Sequence, residues 1–233
     1  MEKISKTQID RLGDRLRKSS RSDLDLKILD DYRRSFGEAY KEVVRTLREK
    51  FHLKLTGRPA KSTKSIIEKL HREKIRLSQM QDIAGCRVVV DDIQEQDHVI
   101  PLLRDVFPSA SIIDRRIKSS HGYRAVHIII KLLGKLIEVQ IRTEWQHKWA
   151  EFSEKSSDKI DPALKYGGGD REILELLYRV SDRVKDSEDI EIKVTKLKES
   201  GRGNEELRVL KKQMLDIKKE ITILINKHIE RFR

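Results

Sequence analysis

A segment near residue 140 places polar side chains on one face of a predicted strand. Between residues 136 and 142, the side chains of Glu138, Gln140 and Arg142 point one way, and the apolar side chains between them point the other way. A sheet face covered by a core does not normally carry an acid, an amide and a guanidinium in succession. The alternation therefore predicts either a reactive sheet face or a solvated outer face, which alternating strands often have.

A second candidate is an acid at the start of a predicted buried strand. Asp82 precedes the apolar run from Ile83 to Val90, and Arg87 lies within that run. Magnesium prefers one or two carboxylates and completes its shell with water and phosphate oxygens. Arginine binds phosphate in a bidentate geometry that lysine lacks. The pattern predicts a metal ligand beside a phosphate clamp, and a turn-forming Asp is the alternative interpretation.

A basic segment from residue 114 to residue 127 contains an aromatic residue after a turn. Lys118 precedes the turn, and Gly122, Tyr123 and Arg124 follow it. A tyrosine in this setting can stack on a base while neighbouring cations hold phosphates. The alternative is a hairpin loop whose tyrosine covers the core.

The amino-acid composition limits the classes of protein to which this chain can belong. The 233-residue chain carries a formal net charge of +12, with 37% hydrophobic and 39% charged residues. This charge favours polyanionic or nucleotide partners, although a Lys-rich soluble protein would also have it. One cysteine, Cys86, excludes an internal disulfide, and its apolar neighbours predict that it is buried. We find no membrane-span-length apolar run and no signal-peptide core, so we expect a cytoplasmic protein without a membrane partner.

The hydrophobic periodicity predicts a small mixed β-sheet flanked by helices, in the α/β (α+β) class. We expect residues 1–20 to be a loosely ordered basic arm, Ser22 to cap one helix that continues through Leu47, and Ser65 to cap another. Strands are predicted at residues 83–90, 111–114, 126–130 and 136–142. Helices are predicted at residues 93–107, where Pro101 limits the start, from Glu144, and from Asp170.

A separate helix is predicted after Gly201. Apolar residues recur in alternating steps of three and four at Leu207, Leu210, Met214, Ile217, Ile221 and Leu224. Such a short seam could form a homo-oligomer, bind a neutralising partner protein, or pack on the protein's own core.

Four motifs in a fixed order resemble the synthetase domain of the RelA/SpoT alarmone family. They are Arg58-x-x-Lys61-Ser62-x-x-Ser65-Ile66-x-x-Lys69, Asp82-Ile-Ala-Gly-x-Arg87, Gly122-Tyr123-Arg124-x-x-His127, and Glu138-Val-Gln-Ile-Arg-Thr143 with His147. The resemblance implies a nucleotidyltransferase-like synthetase core at residues 51–155. A basic arm and helix (1–50) would precede it, and a helical extension (156–233) would follow. It further implies a small stand-alone synthetase without a hydrolase domain.

The resemblance also implies a role for each matched residue. ATP would be held by a basic set, Arg58, Lys61, Lys69 and Arg72. Asp82 and Glu138 would bind Mg²⁺, Glu138 would help to deprotonate the attacking 3′-hydroxyl, and Arg87 would contact the donor phosphates. The acceptor would be contacted by Lys118, Tyr123, Gln140 and His147, and His127 would lie near the transferred phosphates.

The acceptor loop departs from the family pattern, so the acceptor stays open. The segment Asp114-Arg-Arg-Ile-Lys-Ser-Ser-His-Gly lacks the usual Pro and Asn and is one residue shorter before Tyr123. The first hypothesis is transfer of diphosphate from ATP to GDP or GTP, which makes (p)ppGpp and releases AMP. The second is a toxic relative that pyrophosphorylates the 3′ end of tRNA and blocks translation. The third is a non-catalytic nucleic-acid-binding relative, which the presence of both Asp82 and Glu138 disfavours.

Overall fold

The computed structural model describes residues 4–18, 21–201 and 204–230, and these form two compact units. The first unit comprises residues 1–88, 106–113 and 127–140, and the second comprises residues 89–105, 114–126 and 141–233. None of the helices in the described ranges is long and apolar enough to cross a membrane. The division predicted at residues 50 and 155 rests on the family resemblance, whereas the two units are defined by how compactly the chain is folded. The predicted division therefore stays a prediction.

The described residues form a five-stranded sheet with helices around it, which confirms the predicted fold class. The strands are β1 (Leu55–Arg58), β2 (Ala84–Val90), β3 (Ser111–Asp114), β4 (Val126–Leu132) and β5 (Lys135–Thr143). The strand order is β1-β2-β5-β4-β3, and β1 pairs with β2 in antiparallel fashion. The helices are α1 (Lys6–Leu16), α2 (Asp23–Arg34), α3 (Gly37–Phe51), α4 (Thr63–Arg72), α5 (Ile93–Val106), α6 (Glu144–Lys159), α7 (Arg171–Ser200) and α8 (Asn204–Glu230).

The expectation of a loosely ordered amino-terminal arm is wrong for the described part of residues 1–20. Ser5 caps α1 in a capping box: its hydroxyl accepts a hydrogen bond from the Gln8 amide, and its own backbone amide donates to the Gln8 side chain. Ile9, Leu12 and Leu16 are buried on one side of this helix. Their helical spacing was a signal that the high charge of the segment obscured. Residues 1–3 and 19–20 lie outside the described residues.

The prediction of one helix from Ser22 through Leu47 is also wrong, because α2 and α3 are separate. Ser22 does cap α2, as predicted. The break follows Ser35, whose hydroxyl donates to the Tyr32 carbonyl oxygen at 2.6 Å. Lys135 donates to the same hydroxyl and lies 4.8 Å from the centre of the Phe36 ring. A serine that bonds to nearby backbone competes with the helical ladder, so α2 ends there.

Two other helix boundaries differ from the prediction. Ser62, not Ser65, caps α4, and the Ser62 hydroxyl accepts a hydrogen bond from the Ser65 amide at 3.2 Å. Both serines satisfy the cap preference, so the sequence alone did not distinguish them. Pro101 lies inside α5 rather than limiting its start.

In the second unit, helices α6, α7 and α8 enclose an apolar cluster. The buried members include Trp149, Phe152, Leu177 and Val180, and Ile221 is fully buried among them. Ile217 and Leu224 pack against the same cluster. This part of the predicted seam therefore packs within its own unit, and self-association through α8 remains a prediction.

We expect Ile221→Ala to lower the free energy of unfolding by about 2–5 kcal/mol, because it leaves a cavity in this cluster. Ile223→Ala on the same helix is the matched control, since Ile221 is 0% exposed and Ile223 is 64% exposed. Thermal and urea unfolding of both variants measure the difference. Equal losses of stability would contradict the packing of α8 on α6 and α7.

Candidate active site

Polar side chains from neighbouring strands of the first unit share one face of the sheet. Arg58 of β1 is paired directly with Gly85 of β2, and Thr56 is paired with Arg87. Directly paired residues project to the same side of a sheet. A Cβ on Gly85 would lie 3.3 Å from the Cβ of Glu138, so Glu138 lies on this face too. The structure therefore brings Arg58, Arg87 and Glu138 together.

Gly85 is required because the strand backbones approach closely at this point. A Cβ on Gly85 would lie 2.6 Å from the carbonyl oxygen of Glu138, which is shorter than any tolerable contact. Gly57 of β1 is also required, because an added Cβ there would lie only 2.7 Å from the Cα of Cys86. The two glycines let β1, β2 and β5 carry their charged residues side by side.

Asp82 is held by two ammonium groups at the entry to β2. Lys61 Nζ lies 2.7 Å from one carboxylate oxygen, and Lys69 Nζ lies 2.9 Å from the other. Burial would raise the pKa of Asp82, but the charges of the two lysines outweigh it and hold the pKa below its ordinary value. Asp82 is therefore ionised at neutral pH.

Glu138 is held in a similar way by two neighbours on the sheet. His127 Nδ1 of β4 lies 2.8 Å from one carboxylate oxygen, and the Gln140 amide donates to the other at 2.7 Å. Burial would raise the pKa of Glu138, but the bonds from His127 and Gln140 lower it below its ordinary value. The charge of Asp82 acts in the opposite direction and raises the pKa of Glu138.

This pair of carboxylates has the donor chemistry that magnesium prefers. Mg²⁺ in phosphate-transfer sites is held by one or two carboxylates, with water and phosphate oxygens completing the shell. Among the described residues, no group of three or more His, Cys, Asp or Glu side chains could hold a metal by itself. Asp82 and Glu138 therefore fit a cation that is shared with a polyphosphate rather than a metal enclosed by protein.

The lysines are positioned by α4 and by an arginine that sequence reasoning missed. Arg33 of α2 donates to the Lys61 carbonyl oxygen at 2.6 Å and to the Thr63 hydroxyl at 3.2 Å, which fixes the turn into α4. Lys69 follows two turns later on α4, and Arg72 lies in the last turn of that helix. Arg33 carries no motif signal, because its role depends on contacts distant in sequence.

The remaining predicted residues belong to the second unit. Lys118 is exposed, and His147 lies 3.5 Å from Glu151 one turn along α6. Tyr123 is half-buried: its hydroxyl accepts a hydrogen bond from Arg142 at 3.0 Å, and its ring centre lies 5.0 Å from the Arg142 guanidinium carbon. The Trp149 ring lies 6.4 Å away. Arg142 thus ends the polar face of β5 as a buried support for Tyr123.

A buried polar network fixes the junction of β5 and α6. Thr143 caps α6, and its hydroxyl donates to Glu188 of α7 at 2.7 Å. Gln146 donates to the same carboxyl oxygen at 2.9 Å, and it also bonds to Gln96 of α5. Sequence reasoning missed Glu188, because a single acid in a long charged helix gives no signal of burial.

The Glu188 carboxyl should make stability depend on pH. Burial raises the pKa of Glu188 to about 7, with Glu191 adding to the effect while Thr143, Gln146 and Arg124 oppose it. An unfolded glutamate titrates at about 4.3. The folded state therefore binds more protons between these values, so stability falls as pH rises from about 4.3 to about 7 and then levels off.

We expect Glu188→Gln to remove this dependence, because Gln keeps the acceptor oxygen for Thr143 and Gln146 and carries no charge. The variant should gain stability relative to the native chain between about pH 5 and pH 8, by roughly 1.4 kcal/mol for each unit of pKa shift. Unfolding measured across this pH range tests the expectation. Glu199→Gln, at an exposed position of the same helix, should show no such gain. If the stability of the two variants depended on pH in the same way, the role of Glu188 as a buried acid with a raised pKa would be refuted.

The sheet face and the ion pairs thus place acidic and basic side chains close together in the first unit. Residues 57–159 match the model described as a region found in RelA/SpoT proteins. The chain therefore contains a region of the kind found in RelA/SpoT proteins, as the resemblance implied.

Two curated relatives match this part of the chain. An uncharacterized protein of Mycobacterium tuberculosis is 36% identical over 111 residues, which cover 46% of this chain and 41% of the relative. A probable chloroplastic GTP diphosphokinase of Oryza sativa is 31% identical over 105 residues, which cover 42% of this chain and 14% of the relative. The match thus spans less than half the length of either relative.

Solved structures extend the similarity of fold beyond the matched region. Small alarmone synthetase 1 from Bacillus subtilis has a TM-score of 0.55 and 22% identity, covering 77% of this chain and 100% of that protein. A second structure of that synthetase, bound to its product pppGpp, has a TM-score of 0.54 and 23% identity, covering 75% of this chain and 97% of the other. The mixed sheet with its flanking helices is the fold of these proteins.

Proposed function

We propose that this protein transfers the terminal diphosphate of ATP to the ribose 3′-hydroxyl of GDP or GTP, making (p)ppGpp and releasing AMP. The observation that carries the proposal is that Glu138 shares a sheet face with Arg58 and Arg87, while Asp82 at the entry to the neighbouring strand pairs with Lys61 and Lys69. Phosphoryl transfer depends mainly on positioning and charge neutralisation, with little covalent work for the protein. Both requirements match the residues of this site.

The donor would be bound by exchanging ion pairs. Lys61 and Lys69 now neutralise Asp82, and an entering ATP phosphate chain offers them new partners. Asp82 and Glu138 would hold the cation that accompanies the nucleotide, and this cation would supply the charge that balances the Asp82 carboxylate. Arg58, which is exposed at the end of β1, would hold the adenine end together with Arg72, and Arg87 would contact the phosphates.

In the transfer step, the 3′-oxygen of the acceptor forms a bond to the β-phosphorus of ATP, and the bond from that phosphorus to the α-phosphate oxygen breaks. AMP leaves with the electron pair of the broken bond. Glu138 accepts the proton of the 3′-hydroxyl, while His127 and Gln140 hold its carboxylate in place. Magnesium held by Asp82 and Glu138 would supply charge neutralisation at the transferred phosphates.

The acceptor side rests on the Tyr123 loop and on the relatives. Tyr123 is half-buried and rigidly supported, as a base-stacking residue should be. Lys118 provides an exposed cation on the same loop, and Gln140 and His147 complete the proposed acceptor set. The rice relative is named a probable GTP diphosphokinase, and a structural neighbour was solved with pppGpp as its product. These names favour a guanosine acceptor.

The 3′ end of tRNA is the second candidate acceptor. A net charge of +12 suits a long polyanion, and the shortened acceptor loop departs from the guanosine-binding pattern. A purely nucleic-acid-binding relative is the third candidate, but two ionised acids facing phosphate would weaken such binding.

The deciding experiment offers the purified protein ATP labelled at the γ-phosphate together with GDP, GTP, ATP or deacylated tRNA. We expect label on GDP or GTP, with one AMP formed for each transfer. Label on tRNA would establish the second candidate instead. Absence of any labelled acceptor and of AMP would refute the proposed transferase activity.

Salt dependence gives a second test of the acceptor. A tRNA substrate engages several phosphates through lysine and arginine, so its apparent affinity should fall steeply as salt rises. GDP or GTP engages few phosphates, and we expect the shallow slope. A steep slope together with labelled tRNA would overturn the guanosine assignment.

Glu138→Gln tests the acid itself. The variant keeps the size of the side chain but cannot accept the hydroxyl proton, so we expect transfer to fall by roughly 10²–10⁴-fold. Binding of a non-hydrolysable ATP analogue, measured by calorimetry, should remain within about threefold, because the Arg58, Lys61 and Lys69 cations are unchanged.

The matched control is Glu42→Gln, at a half-exposed position of α3 where the acid pairs only with Arg45. It should transfer diphosphate at the native rate. Native turnover by Glu138→Gln would remove Glu138 from the proposed mechanism.

A further inference from the structure

Ser181 of α7 makes hydrogen bonds on both sides of Tyr123. Its hydroxyl donates to the carbonyl oxygen of Gly122 at 2.6 Å and accepts from Arg124 Nε at 3.2 Å. The side chain is 2% exposed, so water does not substitute for either partner. Ser181 lies outside the RelA/SpoT match, which ends at residue 159.

The turn that carries Tyr123 lies tightly against the helices. Ser120 and Tyr123 exchange backbone hydrogen bonds of 2.9 and 3.3 Å, and Gly122 between them has a φ of +82°. A Cβ on Gly122 would lie 2.9 Å from Trp149 and 3.3 Å from the Cβ of Ser181. Only glycine allows this conformation and this approach, so the turn has one docked position.

The Tyr123 ring is supported by the same helix through an intermediary. Trp149 packs near the ring, and its indole nitrogen donates to the Leu177 carbonyl oxygen of α7 at 2.7 Å. Arg142, also buried, donates to the Tyr123 hydroxyl. Helix α7 therefore fixes the backbone of the turn directly and its aromatic ring indirectly.

We propose that Ser181 is a positioning residue for acceptor binding, which makes α7 part of the acceptor site. This inference rests on the proposed function, in which Tyr123 stacks on the acceptor base. A loop that must order when the acceptor arrives lowers the affinity by the cost of that ordering, whereas a docked loop does not. Ser181 supplies the docking, and the donor site of the first unit does not depend on it.

Ser181→Ala should raise the KM for the acceptor about fivefold to tenfold, the usual effect of losing a buried hydrogen bond. The KM for ATP and kcat should stay within about twofold, because Ala leaves the donor residues unchanged. The matched control is Ser156→Ala, since Ser156 is equally buried but its hydroxyl bonds only to the Phe152 carbonyl oxygen of its own helix. A general loss of stability would raise both KM values or lower kcat, and would overturn the positioning role.

Tryptic cleavage gives a readout that does not require activity. Lys118 is exposed at the start of the docked turn, so release of the turn should increase cleavage after Lys118. We expect faster cleavage there in Ser181→Ala than in the native chain or in Ser156→Ala, with the fragment ending at residue 118 quantified by mass spectrometry. Unchanged cleavage in Ser181→Ala would overturn the docking role of Ser181.

The two failures are distinguishable. A native protein that labels no acceptor refutes the proposed function, and with it the acceptor role of Tyr123, while the tryptic comparison still decides whether Ser181 docks the turn. A native protein that labels GTP, with an unchanged acceptor KM in Ser181→Ala, refutes the positioning role alone.

Discussion

The structure depends on keeping two acids charged where most of their surface is removed from water. The side chain of Asp82 is 22% exposed and that of Glu138 is 12% exposed. An ionised carboxylate in such surroundings is costly unless it is paired and hydrogen-bonded. Lys61 and Lys69 meet this need at Asp82, and His127 and Gln140 meet it at Glu138. This requirement explains why α4 and the turn before it place two lysines at the entry to β2, and why β4 places His127 beside β5. The proposed donor binding replaces some of these pairs with phosphate contacts, so the acids remain compensated.

The strands and the polar sheet face could be predicted because their signals are local. Alternation of side chains in β5 is a property of consecutive residues, and the structure buries Ile137 and Val139 while leaving Glu138 and Gln140 on the other face. The predicted helices from Glu144 and after Asp170 begin at these positions because their cap residues adjoin the apolar pattern. Patterns among neighbouring residues therefore predicted the strands and helices that carry the proposed site residues.

The contacts that position the site could not be predicted, because they join residues far apart in the chain. Arg33 fixes the turn at Lys61 across 28 positions, and Asp82 meets Lys61 across 21. The capped helix α1 was mistaken for an arm, because charge dominates its composition while three buried residues decide its structure. Helix propensity and composition are averages over a segment, whereas these structural features depend on contacts between individual residues.

In the proposed function, substitutions in helix α7 would change the affinity for the acceptor without changing the contacts to the donor. Leu177, Ser181 and Glu188 recur at spacings of one and two helical turns, so they occupy one face of this helix. That face contacts Trp149, the Tyr123 turn and the Thr143 cap in turn. A substitution on this face changes how firmly the turn and the start of α6 are held. The ion pairs of Asp82 with Lys61 and Lys69 lie in the other compact unit, at the entry to β2, in the turn before α4 and on α4 itself, and such a substitution leaves these partners in place. Because the proposed contact of Tyr123 with the acceptor depends on α7 and the donor contacts do not, acceptor affinity should respond to this helix while the transfer chemistry is retained.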